Sequence, residues 1–162
     1  MTVRDAFGDD WTRVMAAPLL AGMAITAADP GGLWGAIKEG LAMGGVLKTA
    51  QAAQGGSALI DAVVADFQNS DARDPAMEAV KAKVKGGDPQ AASDAAIAEL
   101  SAVAALVAEK APDDAPAFKA WLKAVAEDVA EAGTEGGFLG FGGEKVSAAE
   151  TAALGRIDAA LA

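Results

Sequence analysis

Apolar positions recur at helical spacing in one segment after another. Ile60, Val63, Val64 and Phe67 stand at i, i+3, i+4 and i+7, which predicts one buried face of a helix. Ile97, Leu100, Val103 and Val107 repeat the pattern in a longer segment that stops near Ala111-Pro112, and Phe118, Trp121, Leu122, Val125 and Val129 repeat it again before Gly133. Leu154, Ile157 and Leu161 follow Ser147-Ala148-Ala149-Glu150, a capping box, and predict a last helix. At the other end, Asp9 and Asp10 precede Trp11, Val14 and Met15 where a helix N-terminus favours acids. That first helix should run to about Ala28, bend near Pro18 and stop at Asp29-Pro30-Gly31-Gly32. Leu33, Ile37 and Leu41 recur every four residues beside a small-residue stripe of Ala36, Gly40 and Gly44, so a second helix is predicted to about Ala53. Lys38, Glu39 and Lys48 on that segment argue for a soluble packing face rather than a membrane one. Asp74-Pro75 and Asp88-Pro89 each set an N-cap acid before a Pro suited to the first helical position, and predict the starts of a fourth and a fifth helix, with Gly86-Gly87 ending the fourth.

No segment alternates apolar and polar residues at period two over a useful length, and no repeat of fixed period appears. The expected fold is all-α: one domain over residues 1–162, a compact bundle of about seven helices with short connections, a kinked first helix and a Gly/Phe-rich loop before the last. Composition narrows how such a bundle packs. Alanine supplies 43 of the 162 residues, and the large apolar side chains together make about a quarter of the chain. Helix backbones must therefore approach closely across Ala and Gly rather than across thick layers of Leu and Phe.

Charge and missing residue types remove whole classes of function. With 13 Lys and Arg against 23 Asp and Glu the net charge is −10, which repels phosphate, so a nucleic-acid partner is not expected. Without His or Cys there is no disulfide, no thiolate or imidazole chemistry and no zinc site built on nitrogen or sulfur. No arrangement of the remaining carboxylates, Lys, Arg, Ser and Thr names a reaction, and neither a catalytic residue, a metal nor a cofactor is expected. The N-terminal residues Met1 to Asp5 do not read as a secretory signal, and the uncharged run Val14 to Ala28 falls short of the roughly 20 residues that span a bilayer. A cytoplasmic protein with no membrane partner is expected, its first helix buried.

One segment is unusual. Glu135-Gly136-Gly137-Phe138-Leu139-Gly140-Phe141-Gly142-Gly143-Glu144-Lys145 sets three large apolar side chains among glycines just before the last helix. Phe138, Leu139, Phe141 and Lys145 are the candidate interaction residues. One reading makes the rings plugs for the helices, with glycine supplying the turns. Others make them a docking surface, or a backbone anion cradle with Lys145 alongside. The Walker pattern is absent, because no Gly-Lys-Ser/Thr follows a strand.

This ending, with Val146-Ser147 and Glu150 after it, resembles the C-terminus of a family of small uncharacterised bacterial proteins. The Pro-containing first helix near Trp11, Ala28-Asp29-Pro30, Ala65-Asp66-Phe67 and Ala117-Phe118-Lys119-Ala120-Trp121-Leu122 are similar to that family too. The resemblance implies a bacterial, soluble, helical protein of no established activity and carries over no catalytic residue.

Two further features invite a site. Lys119, Lys123, Glu127, Glu131 and Glu135 stand four apart, with Asp128 beside them, which places them on one stripe of a helix. A firm Ca²⁺ or Mg²⁺ site needs more oxygens in a fixed cage than such a stripe supplies, and a solvated face with a Lys-to-Glu pair is expected. Asp9-Asp10 and Asp113-Asp114 read first as helix-start acids. Trp11, Trp34 and Trp121 are the bulkiest side chains and read first as core anchors, second as pocket lining. The favoured function is non-enzymatic binding. The alternatives are an enzyme or small-molecule carrier using Glu127 or Glu131 with Lys145, and a structural subunit of a homo-oligomer.

Overall fold

A helix with no charge from Val14 to Ala28 has no polar face to offer water, so it is stable only where neighbours cover it on every side. The computed structural model, which describes residues 1–28, 46, 48–53, 55–85, 88–135 and 148–162, builds the protein around that helix. Its helices are α1 (Val3–Phe7), α2 (Trp11–Ala28), α3 (Ala58–Phe67), α4 (Ser70–Lys83), α5 (Pro89–Lys110), α6 (Ala115–Glu135) and α7 (Ala148–Leu161), with a 3₁₀ turn at Gly8–Asp10 between the first two. Residues 48–53 are also helical, and among the described residues there is no strand. The fold is an all-α bundle.

Helix α2 packs against α4, α5, α6 and α7, and α3 closes the end beside α1 and α4. After the half-buried Thr12 and Arg13, every residue of α2 from Val14 to Ala27 except Thr26 is buried, so that stretch has no solvent face. The amphipathic helices around it point their predicted stripes inward. Ile60, Val63 and Phe67 of α3 are buried, as are Ile97, Leu100, Val103 and Val107 of α5 and Phe118, Trp121, Leu122, Val125 and Val129 of α6, while Val64 is half-buried. In α7 Ile157 and Leu161 are buried and Leu154 is half-buried. Between these larger side chains the contacts are alanine: Ala17, Ala21, Ala24, Ala76, Ala96, Ala126 and Ala130 are each fully enclosed.

Local cap signals set some helix starts and not others. Asp88 caps α5, its carboxylate accepting the Gln90 N–H at 3.1 Å, and Pro89 takes the first position as predicted. The same dipeptide at Asp74-Pro75 starts nothing. Helix α4 begins five residues earlier at Ser70, where Asn69 accepts the Asp71 N–H at 3.0 Å, and Pro75 lies inside it. The chain likewise becomes helical before Asp9-Asp10. Thr2 accepts the Asp5 N–H while the Asp5 carboxylate accepts the Thr2 N–H at 2.7 Å, a capping box for α1, and Gly8 at φ +53 turns the chain into the 3₁₀ segment. Helix α2 continues through Pro18, which has no N–H to give the Val14 carbonyl. Helix α6 runs past Gly133 to Glu135. The predicted second helix lies outside the described residues except for its last turns, as do Gly86-Gly87 and Ser147 of the last capping box.

Candidate functional site

Phe138, Leu139, Phe141 and Lys145 lie outside the described residues, as does Trp34. The other sequence candidates are placed. Trp11 and Trp121 are both core anchors with their indole N–H groups satisfied. Trp11 is 5% exposed and donates to Asp66 Oδ2 at 2.8 Å, a carboxylate that also holds the Arg4 guanidinium at 3.1 Å. Trp121 is 2% exposed, packs edge-on to Phe118 and donates to Thr49 Oγ1 at 3.0 Å.

The predicted charged stripe on α6 does not act as one unit. Lys123 pairs with Asp158 of α7 at 3.5 Å, Lys119 reaches the Ala162 carbonyl at 3.4 Å, and Asp128 holds Lys48 at 2.6 Å. Glu127 and Glu131 are exposed, and the side chain of Glu135 lies outside the described residues. The stripe therefore ties α6 to its neighbours on both sides. Among the described residues no three Asp or Glu side chains converge on a point where a metal ion would sit.

Among the described residues one carboxylate is buried, and no spacing in the sequence singles it out. Glu99 interrupts the apolar face of α5 between Ala96 and Val103 and is 9% exposed. Arg13 Nε of α2 meets one of its oxygens at 2.7 Å, and Lys83 Nζ of α4 meets the other at 3.4 Å. Burial pushes the Glu99 carboxyl up, but the hydrogen bond and charge of Arg13, with Lys83 behind it, hold it below the ordinary glutamate range. Arg13 continues to Asp10 at 3.4 Å, and Asp10 to Lys110 at 3.1 Å. Asp10 is pulled down chiefly by its hydrogen bond from Lys110. This chain of alternating charge laces α2, α4 and α5 together. Asp10 is thus a cross-link between helices as well as a helix-start acid. Asp114 is another: it precedes α6, yet its carboxylate accepts the Leu59 N–H at 3.4 Å and, at 2.7 Å, the hydroxyl of Ser57, the N-cap of α3 whose Oγ accepts the Ile60 N–H at 3.2 Å. One fully buried hydroxyl, Ser93 of α5, donates to the Ala24 carbonyl of α2 at 2.9 Å.

Among the described residues a hollow of about 300 Å³ lies between residues 1–6 and 110–114, and a groove of about 390 Å³ lies between residues 49–56 and the first half of α6. Ala117, Ala120 and Ala124 form one wall, Thr49, Ala52 and Ala53 the other, and Trp121 lies at the base beside Ile60. Gly56 closes the turn at its end: its N–H donates to the Ala53 carbonyl at 3.2 Å, and a Cβ there would stand only 3.3 Å from that oxygen. None of these lining residues is titratable. Its polar side-chain atoms are already bonded, the Trp121 N–H to Thr49 and the Thr49 hydroxyl to the Val46 carbonyl at 3.3 Å.

Two stretches, Val3–Ala28 and Pro89–Lys110, are long and apolar enough by length and composition to cross a bilayer. In the first, 78% of the apolar window is buried by the other helices, the behaviour of a core helix. Set beside known proteins, the chain matches no family model, no curated protein and no solved structure.

Proposed function

We propose that this protein acts by binding and not by catalysis, and that the groove over Trp121 takes an uncharged, apolar small molecule. The observation that carries the reading is the groove itself. Its volume falls within the range of small-molecule sites, and its walls offer methyl groups and an indole edge but no charged group. A charged ligand would lose its hydration there without gaining a partner. The buried carboxylate elsewhere in the fold argues the same way. Glu99 is held ionised between two cations, a poor general acid and a structural link. The acidic composition and the likeness of the Gly136–Gly143 ending to small bacterial helical proteins support a bacterial, cytoplasmic setting with no nucleic-acid or membrane partner.

The test uses n-decanol as an uncharged apolar probe, with tryptophan fluorescence as the readout, on the wild-type protein and on Ala120→Phe. Ala120 is exposed on the groove wall, so a ring there fills the groove without entering the core. A saturable change in the wild type that is lost in a variant of unchanged melting temperature supports the reading. No saturable change, or equal binding by both proteins, overturns it.

A further inference from the structure

We draw no further inference here: the strongest candidate, the uncharged stripe of Ala91, Ala95, Ala98, Ala102 and Ala105 along the outward side of α5, is a run of small residues at heptad spacing, and nothing in the structure shows what covers it.

Discussion

Replacing Arg13 by Met tests whether Glu99 is a stabilising cross-link or a tolerated defect. Met keeps most of the aliphatic stem that packs beside α5 and removes the guanidinium. The carboxylate then sits on an apolar face with Lys83 alone, at 3.4 Å. Breaking a fully buried pair costs about 3–5 kcal/mol, and an exposed pair is worth about 0–1 kcal/mol. Here the Glu99 side chain is 10% exposed and that of Arg13 is 42% exposed. Half the pair is therefore already in water and a second cation remains, which brings the expected loss to about 1–2 kcal/mol at pH 7, near the value of a charge-assisted hydrogen bond. The reverse change, Glu99→Gln, leaves Arg13 half in water and still beside Asp10, so it should cost less than about 1 kcal/mol. The pH dependence follows from the direction of the shift. Glu99 is lowered in the folded protein, so its contribution is present above the unfolded carboxyl value, about 4.3, and is lost as pH falls through the folded value. Once Glu99 is protonated, Arg13 no longer matters to it, and the gap between wild type and Arg13→Met should close. Urea denaturation at pH 7 and at the lowest pH where both proteins still unfold cooperatively measures both claims. Equal losses for the two variants at pH 7, or a gap that persists in acid, would refute the reasoning.

Three other expectations follow from particular contacts. Pro75 is exposed inside α4, so Pro75→Ala restores a helical N–H at no packing cost; it should raise stability by about 1–2 kcal/mol, the helix penalty of Pro less the entropy it removes from the unfolded chain. A fall in the denaturation midpoint would show that Pro75 is no burden. Asp114→Ala should cost about 1–2 kcal/mol because it leaves the buried hydroxyl of Ser57, the N-cap of α3, without its acceptor, whereas Asp113→Ala, at an exposed neighbour, should stay within about 0.5 kcal/mol; equal effects would show that Asp114 does not support that cap. Millimolar Ca²⁺ or Mg²⁺ should leave the melting temperature nearly unchanged, since Glu127 and Glu131 are exposed and Asp128 is paired with Lys48; a rise of many degrees would reveal a real site.

Periodicity made the long helices legible. Phe118, Trp121, Leu122, Val125 and Val129 are all buried on one face of α6 because no other conformation gathers that spacing together. The uncharged run in α2 likewise announced burial on all sides. Boundaries were harder, because the cap signal is local and degenerate. Asp74-Pro75 and Asp88-Pro89 look alike, but Asn69 offers an earlier cap, and starting there adds five residues of helix while Pro75 forfeits one hydrogen bond near the first turns. Buried Ala76 and Val80 then anchor the helix whichever residue begins it. Glu99 was visible as a charge within an apolar stripe, but its partners Arg13 and Lys83 come from other helices and no spacing in the sequence connects them. The same is true of Asp114, whose bond to Ser57 spans 57 positions.

The groove follows from composition through packing. Two helices that meet across alanines can approach closely only along the line where their small faces oppose each other. Away from that line, methyl groups are too short to fill the wedge between the cylinders, and larger side chains must do it. In this protein those are scarce, and Trp121 is spent on the base, where its indole is held by Thr49 from the opposite wall. Ala117, Ala120 and Ala124 above it face Ala52 and Ala53 across space that a Leu at any of these positions would reduce. An alanine-rich bundle thus gains tight helix contacts in the core and leaves shallow apolar hollows at its margins. The hollow over Trp121 is one of these, and its floor is fixed by the indole bond to Thr49.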